Sequence, residues 1–127
     1  MVSIHHNYFT DDQVDYATTL FYKNSDQALA TSILDATAKK LDITNDGIAQ
    51  FQDGVLSEST MPAALDEGFF ITSANEYALL TAQGSTRLSD EAEGITTGIT
   101  DYFTKPKNTQ PPINANPQVI DRDDASN

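Results

Sequence analysis

Apolar residues recur at helical spacing in five stretches of the chain, and strand-like runs fall together in one. Thr10-Asp11-Asp12-Gln13 has the form of a capping box, and Val14, Ala17, Leu20 and Phe21 after it predict a first helix ending at Lys23. Asn24-Ser25-Asp26-Gln27 offers a second cap, and the stripe Leu29, Ile33, Leu34, Ala38 and Leu41 predicts a helix from about Asp26 to Lys40. Thr44, Asn45 and Asp46 start a short third helix whose buried face is Ile48 and Phe51 and which Gly54 ends. Ser57-Glu58-Ser59-Thr60 caps a fourth, beginning at Ser59 or Thr60, with Pro62 tolerated in its first turn, Ala64 and Leu65 inward, and Gly68 closing it. Ser89-Asp90-Glu91 opens a last helix with Ala92, Ile95, Ile99, Tyr102 and Phe103 on one face.

The strand-like region is Phe69-Phe70-Ile71-Thr72 and Tyr77-Ala78-Leu79-Leu80-Thr81, joined by Ser73-Ala74-Asn75-Glu76, a length suited to a hairpin. The same residues also fit one helix from Ser73 to Gln83, with Ser73 and Glu76 as a capping box and Gly84 as its stop. The hairpin is preferred because a Phe-Phe-Ile run needs a partner strand. Gly94 and Gly98, four apart in the last helix, weaken it by roughly 1 kcal/mol each relative to Ala. They read as tolerated glycines, with close approach of another backbone as the second reading. From Lys105 onward, four prolines and few apolar residues predict a disordered tail over residues 105–127.

Taken in order, these signals resemble a winged helix-turn-helix over about residues 25–84. Ile33-Leu34-Asp35-Ala36 resembles that family's first helix, Ile43 its short strand, and Thr44–Phe51 its second helix. Val55–Leu65 is similar to the turn and recognition helix, Gly68-Phe69-Phe70 to the approach to the wing, and Tyr77–Gly84 to the Leu-Thr-x-x-Gly run into a fourth helix. A second alignment, with Ala38–Thr44, Ile48-Ala49 and Gly54 similar to phage-repressor-like proteins, leaves the 69–81 ribbon unexplained. The resemblance implies a mainly α fold with a small β-hairpin: an N-terminal helix (1–24), the winged core (25–84), a C-terminal helix (85–104) and the tail. It also implies a small regulator of transcription in which Ser57, Ser59, Thr60, Asn75, Lys39 and Lys40 contact DNA.

Charge changes that picture. Nineteen acidic residues against seven basic give −12, which opposes generic attraction to phosphate backbones. Residues 25–84 hold only Lys39 and Lys40 against nine acids, Asp66 and Glu67 on the expected recognition helix among them. The alternative is therefore a winged interaction module that docks a basic protein or mimics nucleic acid. The aromatic residues of the terminal helices suit a homodimer. With no cysteine, thiolate chemistry and disulfides are excluded. No apolar run approaches a membrane span and the N-terminus lacks a leader pattern, so a cytoplasmic protein is expected.

Candidate chemistry is sparse in this reading. His5-His6 has the residue type for a metal but no visible third ligand, and it is read as incidental. Asp42-x-Thr44-x-Asp46-Gly47 with Asp53 resembles a calcium loop, but Asp53 replaces the final Glu, and a capped helix start is preferred. With no histidine beyond the N-terminus to activate a nucleophile, no enzyme, metal or cofactor is expected.

Overall fold

The computed structural model of the chain describes residues 1–105. Four strands, β1 (Val2–Asn7), β2 (Ala17–Phe21), β3 (Asn45–Gln50) and β4 (Ala64–Phe70), form one mixed sheet in the order β1-β4-β2-β3. β1 runs parallel to β4 and β2 parallel to β3, while β2 and β4 are antiparallel. The helices are α1 (Gln27–Leu41), the single turn α2 (Gly54–Ser57), α3 (Ala74–Thr81) and α4 (Arg87–Thr104). The expected mainly α winged fold is thus replaced by a mixed α/β architecture.

The first helix is replaced by β2. Asp11 starts a local turn, accepting the Gln13 N–H on its side chain at 3.0 Å, rather than capping a helix. All five residues of β2 are buried between β3 and β4, a placement that suits the β-branched pair Thr18-Thr19. The third expected helix is β3, because Ile48 and Ala49 are buried on opposite faces of the sheet. Ile48 joins the cluster under α1, and Ala49 joins Leu20, Leu56 and Leu65 on the other side. A helix would have turned Ile48 and Phe51 to one face.

The expected recognition helix is the strand β4, buried at every position from Ala64 to Phe70. Hydrogen-bonded on both edges and covered on both faces, it holds Asp66 and Glu67 inside the protein, where an acidic pair had read as a solvated helix surface. The wing is absent too. Phe69 and Phe70 finish β4 with β1 and β2 as partners, so the run needs no hairpin, and residues 74–81 form α3. Ser73 caps α3 by accepting the Glu76 N–H at 3.3 Å, which was the second reading of that segment.

Two helices form where the apolar stripe placed them. α1 is held at its start by Asp26, whose buried carboxylate accepts from the Lys23 N–H at 2.9 Å, the Lys23 ammonium at 2.9 Å and the Ala63 N–H at 3.1 Å. Burial raises the pKa of this carboxyl, but the Lys23 and Ala63 donors outweigh it and leave it below the usual range. Its end is Asp42, the one non-glycine residue with positive φ among the described residues (53°), whose N–H returns to the Ala38 carbonyl. α4 lies along α1 at very short range. A Cβ on Gly98 would stand 2.5 Å from Ile33 Cα and 2.6 Å from the Ser32 carbonyl oxygen, and one on Gly94 would stand 2.8 Å from Thr37 Cα. The second reading of these glycines is the observed one. The predicted tail lies outside the described residues, save Lys105.

Candidate active site

β1 and β4 carry the chemistry. In their parallel register His5 pairs with Glu67, and paired residues of neighbouring strands point to the same face. On the other side of β4, Thr18 of β2 is the antiparallel partner of Glu67. Glu67 is 3% exposed, whereas His5 beside it is open to solvent. An irregularity in the register between His5 and Asn7 brings the buried Asn7 to the same carboxylate, where its Nδ2 donates to Glu67 Oε2 at 2.9 Å. The result is a carboxylate held in the sheet by an amide donor, with an accessible imidazole on the next strand.

The opposite face of the same strands carries a second polar group. His6 shares a 3.0 Å hydrogen bond with Glu91 of α4 and stacks on Phe69, ring centroids 4.2 Å apart. The Glu91 hydrogen bond raises the His6 pKa above its ordinary value, against the opposing effect of burial. Asp66, fully buried, accepts from the Thr19 hydroxyl at 2.7 Å and is pushed up to about 7, chiefly by burial and further by the Glu91 and Glu67 charges. Gly68 leaves room for Glu91, since a Cβ there would meet Glu91 Oε1 at 2.6 Å. Nearby, buried Glu76 takes two donors of Arg87, one of them Nε at 2.7 Å, which fastens α3 to the start of α4. Burial raises the Glu76 carboxyl and Arg87 draws it back down.

A raised Asp66 has a stability consequence. Below about pH 3.8 this carboxyl is neutral in both folded and unfolded chains. Between about 3.8 and about 7 the unfolded chain releases the proton while the folded chain keeps it, so stability falls as pH rises through that window. The His6–Glu91 pair acts in the same direction, its contribution being lost as pH rises through the elevated His6 pKa. Asp66→Asn, which keeps an acceptor for Thr19, is expected to gain on the order of 2 kcal/mol at pH 8 and almost nothing near pH 4. Denaturant midpoints of the two proteins at both pH values check this.

The residues expected to touch DNA are dispersed over separate elements. Lys39 and Lys40 end α1, and Lys40 is engaged with Asp90 at 3.1 Å and Glu93 at 2.7 Å. Ser57 ends α2, Ser59 and Thr60 lie in the exposed loop before β4, where Ser59 Oγ donates to the Met61 carbonyl at 3.0 Å, and Asn75 is in the first turn of α3. His5, expected to be incidental, and Glu67, expected on the surface of a recognition helix, meet here with Asn7, for which the sequence carries no expectation. The available signal was the alternation Ser3, His5, Asn7 on one face of a short strand. Asp42, Asp46 and Asp53 do not form a calcium loop: they fall at the end of α1, in β3 and at the cap of α2. Among the described residues no group of three or more His, Cys, Asp or Glu converges as a metal site.

Residues 1–101 match the family Amidase_3, N-acetylmuramoyl-L-alanine amidase. Among solved structures, the catalytic domain of CwlV, an N-acetylmuramoyl-L-alanine amidase from Bacillus (Paenibacillus) polymyxa var. colistinus, is 30% identical with a TM-score of 0.71, over 80% of this chain and 56% of that one. The N-acetylmuramoyl-L-alanine amidase AmiC2 of Nostoc punctiforme is 29% identical with a TM-score of 0.70, over the same shares. The probable cell wall amidase LytH of Staphylococcus saprophyticus is 26% identical over 104 residues, 82% of this chain and 35% of that protein. The chain thus spans about a third of the length of the curated relatives it matches. These likenesses, with the mixed sheet, overturn the winged helix-turn-helix resemblance and with it the DNA-linked regulator, the interaction-module alternative and the expectation of no enzyme.

Proposed function

We propose that this chain, which belongs to the N-acetylmuramoyl-L-alanine amidase family, takes part in hydrolysing the amide between N-acetylmuramic acid and L-alanine, with Glu67 and His5 at the reacting centre. The observation that carries the reading is the registered pair His5–Glu67. In that pair a buried carboxylate and an exposed imidazole lie on adjacent strands, within the stretch that matches the family.

Amide hydrolysis needs a water stripped of a proton as it attacks, and a group that returns a proton to the departing amine. A carboxylate fixed beside the scissile carbonyl performs both, taking the proton from water and delivering it to the alanine nitrogen. Glu67 has the required rigidity, being set in a strand paired on both edges and tied to Asn7. In this reading His5, exposed on the same face as Glu67, contacts the scissile carbonyl. The name of the staphylococcal relatives, cell wall amidase, supports a site of action at the wall in place of the expected cytoplasm. A DNA or basic-protein partner and a homodimer have no part in this reading.

The test is direct. The purified chain is incubated with peptidoglycan and with a soluble N-acetylmuramoyl-L-alanine-containing peptide, and new alanine amino groups are quantified together with product masses. Release of a peptide beginning at L-alanine is the expected result. Intact substrate in both incubations would overturn the proposal for this chain.

A further inference from the structure

We propose that the outer edge of β1, beside His5, is a docking edge that receives a further strand, supplied by the part of an N-acetylmuramoyl-L-alanine amidase domain that lies outside the match to this chain. β1 ends the sheet order β1-β4-β2-β3, so among the described residues no strand lies beyond it. The Met1 carbonyl accepts from the Ala64 N–H at 3.1 Å, which sets the phase of the ladder. Along a parallel pair alternate residues turn their backbone groups to opposite sides. Ser3 and His5 therefore face β4, while Val2 and Ile4 direct N–H and C=O away from the sheet. The side chain of Ile4 agrees with an uncovered edge. It is registered with Asp66, on the face where α1 packs over β2, β3 and β4, yet it is 56% exposed.

The two edges of the sheet differ. β3, at the other end, carries Asp46, turns Gly47 to a φ of 89° and occupies the Gly47 N–H with the Asn45 side chain at 3.0 Å, and its register with β2 is irregular there. A charge and an irregularity of this kind deter pairing with another strand. β1 has neither protection: Val2 to His6 includes no Asp, Glu, Lys, Arg, Pro or Gly, and its register with β4 is regular as far as His5. An edge in that state is a template for a strand. The occupant follows from the family. The CwlV catalytic domain is matched over 56% of its length, and the rest of a domain of that fold has to pack against what is matched. The outer edge of β1 is where the sheet can extend through backbone hydrogen bonds. A strand docked there lies about 5 Å from β1, and its side chains on the Glu67 face border His5 and wall the candidate site on that side.

The experiment reads amide hydrogen exchange by NMR in the chain alone and mixed with the part of the CwlV catalytic domain outside its match to this chain, supplied as a separate polypeptide. Alone, the Ile4 amide is expected to exchange fast and those of Ser3 and His5 slowly. In the mixture Ile4 is expected to slow about tenfold or more, with Ser3 and His5 little changed. Two variants test the direction of the edge. Ile4→Pro removes an N–H that faces outward and should leave Tm within about 2 °C of wild type while abolishing the protection of Val2 in the mixture. Ser3→Pro removes a ladder hydrogen bond and should lower Tm by roughly 10 °C. An Ile4 amide that exchanges equally fast with and without the added polypeptide overturns the proposal, as does an Ile4→Pro that melts as low as Ser3→Pro. An Ile4 amide already protected in the chain alone and released on dilution would assign the edge to a second copy and overturn the occupant named here. No substrate enters these readouts, so a failure of the hydrolysis proposal and a failure of this one are separate results.

Discussion

Glu67→Gln is expected to lower hydrolysis of the muramoyl-alanine bond by a factor on the order of 10²–10⁴ while leaving the chain folded. Glutamine is close to isosteric, and its side-chain oxygen still accepts from Asn7 Nδ2, so that hydrogen bond is kept. What disappears is the capacity to hold a proton between water and the departing amine. The neighbouring acid is no substitute: Asp66 points to the other face of β4, bonded to Thr19. Rates on a soluble muramoyl-alanine peptide, with thermal melts of both proteins, check this expectation. An equal rate in a folded Glu67→Gln would remove Glu67 from the reaction.

The largest stability effect is expected at the crossing of α1 and α4. Gly98→Ala would improve helix propensity by roughly 1 kcal/mol at an exposed site. Here the new Cβ would lie 2.5 Å from Ile33 Cα and 2.6 Å from the Ser32 carbonyl oxygen, both of them backbone atoms that no rotamer change can move. The helices must separate, which loosens Ile95 and Ile33 and lengthens the 2.8 Å bond from Ser32 Oγ to the Gly98 carbonyl. Overpacking of this kind costs about 1–3 kcal/mol, and against backbone atoms it falls at the upper end, so after the propensity gain the net change is a loss of up to about 2 kcal/mol, roughly 10 °C in Tm for a domain of this size. Gly54→Ala is the control. With nothing within 4 Å of its Cβ position, it should stay within about 0.5 kcal/mol of wild type. Thermal unfolding of the three proteins measures both.

Helices α1 and α4 were legible because each is amphipathic over many turns, and a long 3.6-residue period has few competing explanations. β2 was misread because Val14, Ala17, Leu20 and Phe21 fit a helical spacing by chance, while all five residues of the strand are buried whichever way they face. A strand covered on both faces shows no alternation, and periodicity has nothing to detect. β4 was hidden more deeply. Its central residues Asp66, Glu67 and Gly68 have low strand propensity and looked like a solvated helix end, yet they sit in the middle of the sheet. Local rules failed at the strand that carries the candidate base, which is where function places residues against their propensity.

The candidate site was split in the same way. His5 and Glu67 are sixty-two residues apart in the chain, and each alone had an ordinary explanation as a terminal histidine or a surface acid. The residue types were visible; their juxtaposition was not. The sequence by itself determined the two long helices, the acidic balance, the exclusion of cysteine chemistry and the glycine pair of α4, because these depend on composition or on periods within one element. Only the tertiary structure decided that residues 64–70 form an inner strand, that Gly94 and Gly98 admit a neighbouring backbone, and that His5, Asn7 and Glu67 share one face. The parallel pairing of β1 with β4 joins segments about sixty residues apart, and its register depends on what every intervening element buries.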